Sequence, residues 1–138
     1  MPQKDKIHDA VKNALIKDGW TVTHDHYRIK YGEEKVFIDI ATEKILAAEK
    51  EGQQIAVEIK SFIGKSPITD ISEALGQHNL YITILEEVEP QRKLYLAISK
   101  PTYDELRNVK AFMSVVKRFQ VALIIVKIPT EEIFEWIE

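Results

Sequence analysis

An α/β fold, with helices flanking a central mixed β-sheet, is what the sequence predicts, and three observations predict it. Stretches with apolar residues at helical spacing alternate with apolar runs of strand length. Two of those runs, residues 93–99 and 121–127, are apolar enough to be central strands covered on both faces. The chain has 138 residues, of which 45% are hydrophobic, which suits one sizeable core and predicts a single domain over 1–138.

The first helix is predicted over about residues 4–18, where Ile7, Val11, Ala14 and Leu15 form a stripe and Gly19 supplies the stop. Residues 20–23 read as a short strand, and Asp25, His26 and Gly32 mark turns around the 27–31 segment. Residues 35–41 form a strand carrying Asp39, and residues 55–62 a strand carrying Glu58 and Lys60. Between them, residues 42–52 have strong helix formers in Glu43, Lys44, Ala47, Ala48, Glu49 and Lys50, and the reading favours a helical excursion over a hairpin. A tight hairpin at Glu51-Gly52 would set Glu58 opposite Ile45 and leave Asp39 too far away to share a metal with it; Glu49 is then the reserve second acid.

After a loop at Gly64, Ser66 and Pro67, Asp70 with Glu73 reads as a capping box for a helix reaching about residue 85. Residues 93–99 are a strand, Thr102 with Glu105 caps a helix reaching about residue 116, and residues 121–127 are a further strand. For residues 131–137 the pattern leaves a helical turn and a closing strand equally open.

Composition narrows the chemistry. Cysteine is absent, which removes disulfides, thiolate zinc sites and cysteine nucleophiles. No hydrophobic segment follows the basic residues near the N-terminus and no apolar run approaches membrane-spanning length, so the expectation is a cytoplasmic protein without a signal peptide or membrane contact. A net charge of −3 argues against a broad basic nucleic-acid surface, so any action on DNA must rest on a local patch, a metal or a partner.

The most informative run is Ile55-Ala56-Val57-Glu58-Ile59-Lys60-Ser61-Phe62. Glu58 and Lys60 are two residues apart, so on a strand they share a face. Burying both charges beside a core costs several kcal/mol, roughly, unless a further group engages them. Upstream, Val36-Phe37-Ile38-Asp39-Ile40 is a second apolar strand interrupted by one acid. The bland alternative is a surface ion pair on a solvated strand.

This order of helix, Asp strand, Glu-x-Lys strand and helix resembles the PD-(D/E)xK superfamily, the restriction-endonuclease-like fold, with Ile38 in the place of the motif's proline. More closely, residues 8–15, Asp18-Gly19-Trp20, residues 56–62, Ala74-Leu75-Gly76-Gln77-His78 and Trp136-Ile137 look like the XisH family of fdxN-element excision-controlling factors. The resemblance implies a DNA element excision controlling factor with an endonuclease-like site. Asp39 and Glu58, with the backbone carbonyl of Ile59, would hold Mg²⁺ or Mn²⁺, and Lys60 would stabilise the charge developing on a scissile phosphate. It also implies DNA, an XisI-like companion and a recombinase as partners, and leaves a homodimer open. The alternative is a catalytically inactive nuclease-fold module that scaffolds the recombinase or companion.

Further candidates follow from the same resemblance. Gln77 and Tyr81, one helical turn apart, resemble a Gln-x-x-x-Tyr element set beside the catalytic strand, where they could reach Lys60 or a phosphate; the bland reading makes Tyr81 a core aromatic. Asp9 stands where a helix-borne acid would add a further metal ligand. His8, His24, His26 and His78 lack zinc-site spacing and read as turn and surface residues. Lys65, Lys100, Arg107, Lys110, Lys117 and Arg118 are scattered cations that either solvate the surface or touch phosphate.

Overall fold

The structure is a computed structural model, and it describes residues 3–25, 27, 29–31, 36–38, 44–62 and 66–138. Helix α1, Gln3–Lys17, forms where the 7-11-14-15 stripe was expected. It ends at Gly19, whose φ of +94° is left-handed backbone; the Trp20 N–H then reaches the Leu15 carbonyl at 3.0 Å and satisfies the helix end. Strand β1, Thr21–His24, follows. Strands β2, Ile29–Tyr31, and β3, Val36–Ile38, pair with each other as an antiparallel two-stranded sheet.

Residues 44–52 correct the sequence reading. They form no helix: Lys44–Lys50 is strand β4, joined to β5, Gln53–Ile59, by a two-residue turn. Glu51 and Gly52 take φ values of +50° and +83°, the pair of positive angles that a twisted hairpin turn requires. Helix propensity is worth only tenths of a kcal/mol per residue, roughly, and the burial of Leu46, Ala47 and Ala48 between neighbouring strands and helices outweighs it.

Helix α2, Pro67–Val88, starts three residues before the expected Asp70 box. Its cap is Ser66, whose side chain accepts from the Thr69 N–H, with Pro67 at the first helical position. Strand β6, Arg92–Ser99, leads into α3, Lys100–Leu106, capped by Ser99 and not by Thr102. The single helix expected to residue 116 is two: the chain turns at Arg107 to Val109, and α4, Lys110–Arg118, begins afresh. Strand β7, Leu123–Lys127, and the closing β8, Glu132–Ile137, complete the chain, so the C-terminal segment is strand.

The six-stranded sheet has the order β1-β4-β5-β6-β7-β8; β5, β6 and β7 run parallel and the remaining pairs antiparallel. Helices flank both faces, which makes the fold an α/β sandwich around a mixed sheet. On one face Ile7, Val11 and Leu15 of α1 pack on Val57, Ile59, Tyr95 and Ile124. On the other, α2 covers Ala47, Ala56 and Leu94, while α3 and α4 cover Leu96, Ile98, Leu123 and Ile125. Val11, Leu15, Val57 and Ile124 are completely buried, each contributing about 1.5–3 kcal/mol of hydrophobic stabilisation.

Candidate functional site: a Glu-x-Lys strand under helix α2

Period-two alternation along β5 sends Val57 and Ile59 to the α1 face and Ala56, Glu58 and Lys60 to the α2 face. Glu58 sits in register between Ile45 of β4 and Leu96 of β6, with no solvent exposure. Above it, the His78 ring of α2 is also buried, with Nδ1 2.9 Å from Glu58 Oε1. A carboxylate offers only lone pairs, so the imidazole donates Nδ1–H to it. His78 Nε2 makes no hydrogen bond.

Lys60 follows the last residue of β5, and its backbone N–H continues the ladder to the Ala97 carbonyl. Its ammonium donates to the Gln77 side-chain carbonyl. Thus Gln77 and His78, neighbours on α2, engage Lys60 and Glu58 respectively. The Gln77 contact lies where the Gln-x-x-x-Tyr resemblance pointed. Tyr81, one turn further along, instead packs in the core with Tyr27, Ala47, Ala56 and Leu94.

Several expected members of the site are elsewhere. Asp9 is exposed, on the helix that covers the opposite sheet face from Glu58, and so is not brought to it. Sharing a metal would be easiest from adjacent strands of one sheet, but the sheet neighbours of β5 are β4 and β6, and the strand before Asp39, β3, pairs with β2. Asp39 itself lies outside the described residues. Ile59 points its side chain into the α1 core, leaving its carbonyl as the only group to consider. Glu49 pairs across the hairpin with Gln54, which donates to it at 3.0 Å, near the turn and far along β4 from Ile45. A carboxylate that holds a metal for a phosphate substrate is expected to face solvent, and Glu58 does not: it is sealed beneath α2.

The sequence reading missed His78, taking it for a surface residue. A signal existed in the buried face of α2, where Ile71, Ala74, His78, Tyr81 and Leu85 repeat at three- and four-residue spacing. A histidine in that stripe must find a polar partner inside, and Glu58 is the one it finds.

Two further polar clusters tie the edges of the fold. The buried His8 ring and Lys12 both engage Asp25, Lys12 at 2.9 Å. Burial raises the Asp25 pKa, but the hydrogen bonds from Lys12 and His8 outweigh it and hold the carboxyl below its usual range. Arg92 Nη1 donates to the Ile55 carbonyl at 2.9 Å and its Nε to Glu89, while the guanidinium lies 5.1 Å from the centre of the Tyr27 ring. Burial, with the Glu89 carboxylate as phenol partner, pushes Tyr27 up to about 12.

The fold and this strand define a class: an α/β sandwich with an acid-x-Lys strand, its acid buried and its lysine half-buried, set under a helix. The chain belongs to the XisH protein family, whose pattern it matches over residues 1–134. It is similar to the crystal structure of an XisH family protein from Nostoc punctiforme PCC 73102, with 38% identity, a TM-score of 0.87, and coverage of 97% of this chain and 100% of that one. It is equally similar to an fdxN element excision controlling factor protein from Anabaena variabilis, with 38% identity, a TM-score of 0.86, and coverage of 97% and 99%. A comparison with curated proteins gave no significant match.

Proposed function

We propose that the chain is a DNA element excision controlling factor that carries a divalent-cation-dependent, endonuclease-like site of the PD-(D/E)xK type. One observation carries this reading: a carboxylate and an ammonium share one face at the carboxyl end of β5, and two consecutive residues of α2 engage them separately. The excision context comes from the Anabaena variabilis relative and from membership of the family.

The donor chemistry suits a hard cation. Glu58 and the Ile59 carbonyl offer oxygen ligands of the kind Mg²⁺ and Mn²⁺ select, and Asp39, outside the described residues, would be the second acid. Among the described residues no group of three His, Cys, Asp or Glu side chains is gathered for a metal, so Asp39 is needed to complete the set. A bound cation would supply Lewis-acid stabilisation of a phosphate. The protein's own groups do the positioning. His78 fixes the Glu58 carboxyl in one orientation, and Gln77 fixes the Lys60 ammonium, whose charge then opposes negative charge growing on phosphate oxygens without reorganising.

Thermal melting tests the metal site. A ligand that binds only the folded state raises its stability by mass action, about 2.7 kcal/mol at a hundredfold excess over Kd. Millimolar Mn²⁺ or Mg²⁺ is expected to raise the melting temperature of the wild type and to do so less for Asp39→Ala and Glu58→Gln. Equal responses from all three would remove the metal from the account.

The complete burial of Glu58 favours a second reading, in which the Glu58–His78 pair is a core polar contact and the chain is a binding module for a recombinase or an XisI-like companion. DNA and these proteins are partners in both readings. Cleavage separates the two.

A further inference from the structure

A chain with a net charge of −3 distributes its charge unevenly. The segment between Glu105 and Glu131 contains Arg107, Lys110, Lys117, Arg118 and Lys127 and no acid, while the remainder holds 14 basic and 22 acidic residues. Four of these five cations gather at one place in the fold. Arg107 is exposed in the turn before α4, and Lys110, Lys117 and Arg118 are exposed along α4 with Ser114 between them. Lys110 and Lys117 are seven residues, two helical turns, apart and Arg118 follows directly, which puts the three on one helical face about 12 Å long.

No ion pair to a carboxylate forms at any of the four among the described residues. Two of them lie over rings: the Arg107 guanidinium is 5.7 Å from the centre of Tyr103, and that of Arg118 5.8 Å from the half-exposed Phe119. By contrast, Lys12, Lys50, Lys93 and Lys100 elsewhere on the surface each face a carboxylate. Like charges held this close on one surface repel. A fold that keeps four of them together and unneutralised presents a ready site for a polyanion.

The opposite side of α4 is already committed. Phe112 and Val116 are buried against Ile71 of α2 and Leu123 of β7, so the helix has no free apolar stripe to lay into a lipid surface. Helix α4 itself packs beside α2, which carries Gln77 and His78, on the same side of the sheet as Glu58 and Lys60.

We propose that Arg107, Lys110, Lys117 and Arg118 form the surface on which this chain docks the phosphate backbone of DNA. The choice of DNA as the polyanion rests on the excision reading above; the surface itself does not depend on cleavage. It supplies the local basic patch that an acidic chain needs to hold DNA beside the Glu58 site.

Fluorescence anisotropy with a mixed-sequence duplex of about 20 base pairs, in EDTA, tests the surface without any metal-dependent step. Each phosphate neutralised contributes roughly −0.9 to the slope of log affinity against log salt. The wild type is expected to lose roughly 100-fold in affinity between about 50 and 200 mM salt, and Lys117→Gln/Arg118→Gln only about tenfold, from a weaker starting affinity. Lys6→Gln, on α1 across the sheet, is expected to bind as wild type, and all three proteins to melt alike. EDTA removes any metal-dependent step, so a protein that never cleaves DNA can still pass this test. No duplex binding at the lowest salt, or equal slopes for wild type and the double variant, overturns the proposal. So does preferential binding to phosphatidylserine-containing vesicles or to polyglutamate, which would assign the surface to a membrane or an acidic protein.

Discussion

His78 Nδ1 lies 2.9 Å from Glu58 Oε1, with both side chains buried between α2 and β5. The contact gives an otherwise costly internal carboxylate a donor and adds a buried polar bond to the apolar packing that seats α2 on the sheet.

His78→Ala is therefore expected to lower stability by about 1–3 kcal/mol, the range for removing a partner of a buried polar group, as read by urea denaturation. The same change in a Glu58→Gln background should cost less, because an amide carries no charge to strand. Equal costs in the two backgrounds would mean that the histidine acts through packing alone.

The β4–β5 turn makes a second expectation. Glu51 holds φ +50°, a left-handed conformation that costs a typical L-residue roughly 1–2 kcal/mol and that asparagine tolerates well. Glu51→Asn should stabilise the protein by about 1 kcal/mol or somewhat less. Gly52→Ala should destabilise it by about 1 kcal/mol through backbone strain alone, since a Cβ there meets nothing within 4 Å. Melting curves of both variants check the pair, and a neutral Gly52→Ala would contradict the turn geometry.

Tyr27 should titrate late. Its folded pKa, about 12, lies above the ordinary 10.0, so the stabilisation linked to the neutral phenol is complete below pH 10 and is lost as pH rises toward 12. Ultraviolet titration of phenolate should show one ionisation near 12 that is absent from Tyr27→Phe. If the variant loses an ionisation near 10 instead, Tyr27 is neither buried nor held by Glu89 in solution as the structure has it.

Much of this arrangement was legible in the sequence because periodicity carries it. A two-residue spacing puts Glu58 and Lys60 on one face whatever the fold, and the four-residue step from Gln77 to Tyr81 placed both on one side of α2. What failed depends on partners distant in the chain. Residues 44–50 read as helix because propensity is local, while the burial of Leu46 and Ala48 against α1 is not. Asp9 looked available because a helix stripe does not say which sheet face the helix will cover. The split between α3 and α4 turns on Asn108 and Val109, where no proline or glycine marks the break.

Nicking of supercoiled DNA by the protein with an XisI-like companion, in Mn²⁺ or Mg²⁺, tests the central claim most directly. Lys60 acts on charge that develops only as the phosphate reacts, and Glu58→Gln keeps an acceptor for His78, so Lys60→Ala and Glu58→Gln should stay folded and keep the companion while losing the cleavage. The account predicts metal-dependent nicking by wild type that both variants abolish. Wild type inert under every metal and partner condition, with both variants still supporting excision in cells, would contradict it and leave the chain a binding module.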